Sequence, residues 1–180
     1  MITAFIIGCE IGFWVFVLAG LVFRYIFRLK KLGKLFLYST PLIDLALVIA
    51  TVYDLRGGAE ATFAHSLAAV YIGVSIAFGH RMIKWADERF AYRFAGGPEP
   101  AGKPKYGKEH ARHERNGWLH HLLAWGIGSL ILYGMIVMVG NEARTEALSE
   151  SLQFWQIVLG IDFVISFSYT LWPRKEKAVS

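Results

Sequence analysis

The sequence predicts an all-α, polytopic integral membrane protein with five transmembrane helices. Five long apolar stretches alternate with polar connections along the 180 residues. Hydrophobic residues make up 55% of the chain and charged residues only 18%, whereas soluble proteins carry about 25% charged residues. Lys and Arg are concentrated in alternate connections. Because five spans leave room for little except loops, we expect a single membrane domain over residues 1–180.

Each apolar stretch is long enough to cross a hydrocarbon core of about 30 Å as a helix that rises 1.5 Å per residue. The predicted spans are residues 2–23, 35–53, 61–79, 117–139 and 152–172. The first span has no basic residue before Arg24, unlike a secretory signal, so we expect it to remain in the membrane.

The second span, LFLYSTPLIDLALVIATVY, contains a proline and an acid near its middle. Pro41 has no N–H group, so it leaves the carbonyl of Leu37 without its helical donor and predicts a kink. That kink would lie about one turn from Asp44.

The third span has small residues and one histidine at every fourth position, a pattern typical of a packing face in membranes. These residues are Ala61, His65, Ala69, Gly73 and Ala77.

Residues 80–116 are predicted to form an interfacial amphipathic segment followed by a flexible cytoplasmic loop. The segment HRMIKWADERFAYRF mixes basic and aromatic side chains, and AGGPEPAGKPKYGK is too rich in Gly and Pro for a regular element.

The distribution of basic residues predicts the orientation of the chain. Of the 19 Lys and Arg residues, 17 lie in the first connection, the third connection and the C-terminal tail. Only Arg56 and Arg144 lie on the other side. By the positive-inside rule, the N-terminus should be outside and the C-terminus cytoplasmic.

Three acids interrupt the apolar spans: Glu10, Asp44 and Asp162. A carboxylate at the bilayer centre costs on the order of 2.5–3.5 kcal/mol on insertion scales. Counting from the predicted span ends, the three acids should lie within several Å of one depth, where no Lys or Arg can pair with them. They are therefore expected to be protonated, or neutralised by a bound cation or by His65.

These four residues form a hypothetical proton, ion or substrate site. The alternative is that the acids only hold neighbouring helices together through hydrogen bonds.

The histidines suggest a weaker hypothesis. His80 and either His120 or His121 lie near the same predicted end of two spans and are candidate axial ligands of a b-type haem or ligands of a metal. His80 precedes Arg81 at the predicted interface, and no cysteine or carboxylate pattern completes a metal site around these residues. We expect no cofactor. Motifs of nucleophilic or metal-dependent hydrolysis are absent, so an enzyme is not expected.

Two stretches, PLIDLALVIATVYDL (Pro41–Leu55) and FAHSLAAVYIGVSIAFGHRMIKWAD (Phe63–Asp87), resemble the YmcC-type family of small uncharacterised bacterial multi-pass membrane proteins. The resemblance covers the first three spans and the amphipathic segment best. It implies a location in the bacterial cytoplasmic membrane. It implies no activity and no site residues.

Three functions follow as hypotheses. The first is a small carrier or a conductor of ions or protons that uses the intramembrane carboxylates. The second is a non-catalytic accessory or assembly subunit that binds a membrane-protein partner or another copy of itself. The third is a haem or quinone redox protein. Besides the lipid bilayer, anionic headgroups at the cytoplasmic face are expected partners. Nucleic acid is not, because the basic residues bracket apolar spans rather than form a basic domain.

Overall fold

The structure is a computed structural model that describes residues 2–175, except the side chains of residues 2–4, 6, 10, 94 and 95. Its helices are α1 (Ile2–Tyr25), α2 (Lys30–Arg56), α3 (Phe63–Ala95), α4 (Gly107–Val139) and α5 (Glu142–Leu171). All five are long and apolar enough to cross a membrane. The predicted all-α fold with five transmembrane helices is therefore confirmed.

Two helices begin well before their predicted spans. α4 starts at Gly107 rather than at residue 117, and α5 starts at Glu142 rather than at residue 152. Apolarity marks the membrane-crossing part of a helix, but polar residues with good helix propensity extend it further. At α5, Asn141 caps the new start, because its side-chain oxygen accepts a hydrogen bond of 3.1 Å from the Arg144 N–H.

Helix α2 passes through Pro41 without ending. The Thr40 hydroxyl donates a hydrogen bond of 2.9 Å to the carbonyl oxygen of Leu37. This is the carbonyl that Pro41 deprives of its helical donor, so the neighbouring side chain satisfies the acceptor that the sequence leaves open.

Helix α3 is continuous over 33 residues, which corresponds to about 50 Å and exceeds the thickness of a hydrocarbon core. The predicted amphipathic segment is therefore the C-terminal part of α3. It is held against the end of α1: Arg24 donates to Asp87 at 2.5 Å, Tyr25 also donates to Asp87, and the Tyr25 ring stacks on Phe90 at 4.2 Å. Its position at the headgroup boundary stays a prediction.

The helices pack as two groups. α1 packs along α2, whereas α4 packs between α3 and α5. The contact between α2 and α3 joins the groups and is less extensive. A buried apolar cluster fills the end of the bundle near Gly140, and it consists of Val52, Leu55, Ala69, Leu132, Met135 and Leu148.

Glycines allow the closest helix contacts. A Cβ atom on Gly73 of α3 would collide with the carbonyl oxygen of Ala124 in α4, and one on Gly128 would collide with the Trp155 ring of α5. These two positions fix the spacing of α3, α4 and α5.

Gly73→Ala should therefore destabilise the protein by roughly 1–3 kcal/mol, the usual cost of overpacking. The measurement is thermal unfolding of the purified protein in detergent. Gly79→Ala is the matched control, because it lies in the same helix with nothing within 4 Å of the added Cβ. Equal melting temperatures for the two variants would contradict this packing.

The predicted orientation is tested with single cysteines in a Cys9→Ala background. Glu60→Cys lies in the exposed α2–α3 connection and Lys103→Cys in the exposed α3–α4 connection. A membrane-impermeant maleimide should label residue 60 in intact cells and residue 103 only after the cells are broken. The reverse pattern would invert the orientation.

Candidate functional site

Asp44 is the most deeply buried acid among the described side chains. Its side chain lies on α2, is 2% exposed, and has no hydrogen-bond partner for Oδ2. Leu47, one turn further along α2, is also buried and forms a small apolar cluster with Ala68 of α3, against which Cys9 of α1 packs. Asp44 thus lies where α1 and α2 meet α3, in a largely apolar environment.

Two more buried hydroxyl groups occur between Asp44 and the Arg56 end of α2. Thr51 of α2 and Ser66 of α3 are 0% exposed, and neither side-chain oxygen has a hydrogen-bond partner. Asp44 and Thr51 lie two turns apart on one face of α2. Along this face, polar groups without partners are interspersed with Leu47 and Leu55.

His65 is placed at the start of α3. Its Nδ1 accepts a hydrogen bond of 2.8 Å from the backbone N–H of Thr62, so the neutral ring carries its proton on Nε2. Nε2 is buried without a hydrogen-bond partner and lies 3.9 Å from Oδ2 of Asp54, which is too far for a direct hydrogen bond. The acid that His65 faces is Asp54, which the sequence analysis did not single out.

Asp162 of α5 is paired with His121 of α4. The distance from His121 Nδ1 to Asp162 Oδ2 is 2.6 Å, and the Ser166 hydroxyl donates to Asp162 Oδ1 at 3.4 Å. The ring of Phe78 packs against His121 with 5.0 Å between ring centroids. The pair is partly exposed, with 52% of the His121 side chain and 29% of the Asp162 side chain accessible.

Asp44 and Asp162 have separate surroundings among the described residues. Asp44 lies at the contact of α1, α2 and α3, whereas Asp162 is paired with His121 at the contact of α4 and α5. That the intramembrane acids share one depth stays a prediction.

The remaining candidate residues are distributed as follows. The Glu10 side chain lies outside the described residues. His80 is exposed, and the Nδ1 atom of His120 lies 2.6 Å from the carbonyl oxygen of Asn116. Among the described side chains, no group of three or more His, Cys, Asp and Glu could hold a metal ion.

Comparison with known proteins assigns the chain to a family. The chain is 51% identical over 175 residues to a Bacillus subtilis (strain 168) protein named "Uncharacterized membrane protein YmcC". The match covers 96% of this chain and 93% of the relative. The chain belongs to the YmcC family. The match extends the resemblance beyond the first three spans, and together with the five helices it identifies a multi-pass bacterial membrane protein.

No family model matches the chain, and no solved structure matches it. The relative's name gives a location in the membrane and no activity.

The His121–Asp162 pair should stabilise the contact between α4 and α5. Asp162→Asn and His121→Gln should each lower stability by about 1–3 kcal/mol, because each leaves a polar partner unpaired. The double variant should cost less than the sum of the two. Thermal unfolding of all four proteins in detergent measures this coupling. Additive effects would show that the pair contributes nothing beyond its separate side chains.

Proposed function

We propose that this YmcC-family protein carries or conducts protons or small cations across the membrane and binds them at Asp44. The observation that supports this most directly is a 2% exposed carboxyl group within a membrane-spanning helix, whose Oδ2 atom has no hydrogen-bond partner.

The energetic argument starts from the cost of an unpaired buried charge. A carboxylate that is removed from water without a partner is strongly destabilised, and a proton or a cation removes that cost. Among the described residues, no Lys or Arg forms an ion pair with Asp44 to supply the compensation. Occupancy by a mobile positive charge is then the remaining means of neutralisation, as expected for a transport site.

Polar groups on either side of Asp44 support a route to it. Toward the Arg56 end lie Thr51, Ser66 and His65, each with a buried polar atom that has no hydrogen-bond partner. Toward the other end lies the partly exposed His121–Asp162 pair. In this proposal Asp44 is the binding group, His65 is at the outer entrance, and Asp162 belongs to the cytoplasmic half.

The same proposal includes the orientation and the lipid contacts. With the N-terminus outside, the basic connections face anionic headgroups on the cytoplasmic side, each Lys or Arg contributing about 1 kcal/mol of attraction.

A second candidate function is an accessory or assembly subunit. It is favoured by an open apolar groove of about 860 Å³ along α4, lined among others by Leu119, Leu123, Leu130 and Tyr133. Gly126 in this groove has nothing within 4 Å of the position of a Cβ atom. A small residue with free space beside it allows close approach by a helix of another chain.

Asp44→Asn should abolish proton or cation flux, because the amide cannot take up a proton or carry the compensating negative charge. The measurement uses purified protein in liposomes with a trapped pH-sensitive dye and an imposed potassium diffusion potential. Na⁺ and K⁺ gradients with matching indicators test the cation alternatives.

The control is Glu150→Gln, which removes an exposed acid near the start of α5. It should leave flux at the wild-type level. Wild-type flux in Asp44→Asn protein that inserts normally would reject the proposal. Absence of flux from the wild type, together with a stoichiometric membrane-protein partner, would favour the accessory function.

A further inference from the structure

A second site lies at the opposite end of the bundle from His65, where the α3–α4 connection meets the C-terminal tail. A cavity of about 380 Å³ is lined by Lys105, Tyr106, Arg174 and Lys175. Three of the four side chains are cationic. It is separate from Asp44 and does not depend on the proposed transport function.

The three cations are not neutralised by acids. In the part of the chain that the structure describes, Lys105, Arg174 and Lys175 form no ion pair with Asp or Glu. Like charges close together repel each other, so their convergence is costly unless an anion binds between them.

The backbone around the cavity is held in place. The N–H of Gly107 donates a hydrogen bond of 2.9 Å to the carbonyl oxygen of Arg174, which ties the tail to the start of α4. The Arg174 guanidinium lies over the ring of Tyr169, 5.6 Å from its centroid. The cation is thereby positioned before any ligand arrives, which lowers the entropic cost of binding.

Packing beneath the cavity fixes the loop as well. His110 is 8% exposed, its Nδ1 lies 3.0 Å from the carbonyl oxygen of Pro104, and its ring packs edge-on against Tyr169 at 4.7 Å. Lys105 follows directly after Pro104, so this contact holds the third cation at the cavity. The loop, α4 and the tail therefore form one local unit.

The position of the cavity suits the headgroup level of a bilayer. It lies just beyond Leu171 and Trp172, which are 72% and 75% exposed. Exposed tryptophan at a helix end is typical of the membrane–water interface. Arginine and lysine side chains commonly bind phosphate. The planar guanidinium of Arg donates two parallel hydrogen bonds, and the ammonium of Lys acts as a point charge.

We propose that this cavity binds the phosphate group of an anionic molecule. Two sources share this chemistry: the headgroup of an anionic phospholipid and a phosphate compound in solution. Bound phosphate would join the α3–α4 connection to the tail by bridging Lys105 with Arg174 and Lys175.

The test compares wild type with the triple variant Lys105→Gln/Arg174→Gln/Lys175→Gln. Binding to the purified full-length protein in detergent is measured by native mass spectrometry and by the shift in melting temperature. The probes are phosphatidylglycerol, phosphatidylcholine and inorganic phosphate. The matched control is Lys30→Gln/Lys31→Gln/Lys34→Gln, which removes the same charge from exposed residues of α2.

Wild type should bind phosphatidylglycerol or inorganic phosphate at least tenfold more tightly than the triple variant, with affinity falling as salt is added. The control loses only the general attraction of its lysines to anions, so its affinity should lie much closer to that of wild type than to that of the triple variant. Selective binding of phosphatidylglycerol identifies a lipid headgroup as the source. Binding of inorganic phosphate, lost in the triple variant, identifies a soluble phosphate compound.

The proposal is overturned if the triple variant binds like wild type, if the control loses binding equally, or if phosphatidylcholine binds as tightly as phosphatidylglycerol. It is also overturned if wild type binds neither phosphatidylglycerol nor inorganic phosphate.

Discussion

Polar groups within apolar helices must find their partners inside the protein, because hydrocarbon offers none. Two of the three cases that follow meet this constraint within the protein. Thr40 satisfies the carbonyl of Leu37 that Pro41 leaves free. Asp162 is paired with His121 across the α4–α5 contact. Asp44, in contrast, is buried without a hydrogen-bond partner for Oδ2. Because the other two cases are resolved within the protein, the unpartnered carboxyl oxygen of Asp44 is the observation on which the transport proposal rests.

The arrangement of the helices explains why an unpaired acid can persist at that point. Asp44 lies where the α1–α2 pair meets the α3–α5 group, and the α2–α3 contact there is less extensive than the α1–α2, α3–α4 and α4–α5 contacts. Close approach of Gly73 to Ala124, and of Gly128 to Trp155, makes the α3–α5 group tightly packed. Separating helices at this less extensive boundary would break fewer contacts than within the α3–α4 or α4–α5 pair, so in the transport proposal it is the place where an occupant reaches Asp44.

Much of the fold could be predicted from the sequence. The length and apolarity of each stretch identify a membrane span, and the span must be helical because hydrocarbon offers the backbone no hydrogen-bond partners. The side-chain pairs were not predicted, since depths were counted from the apolar ends of the spans. Counting from the short connections would have worked better. Asp162 and His121 lie at nearly equal distances along the chain from the turn at Gly140. His65 and Asp54 likewise lie at nearly equal distances from the middle of the α2–α3 connection. Antiparallel helices joined by a short connection place such residues side by side.

The same counting clarifies the role of His65. The residue of α2 that lies opposite His65 is Asp54. Asp44 lies ten residues, or about 15 Å, further along α2. His65 therefore cannot neutralise Asp44 directly, and any charge that reaches Asp44 from the His65 end must pass Thr51 and the apolar Leu47. Leu47 belongs to an apolar cluster with Ala68 between these two polar side chains. In the transport proposal, the apolar segment between Thr51 and Asp44 would open through a movement of the α1–α2 pair relative to α3, since the helix contact there is less extensive than within the α1–α2 pair.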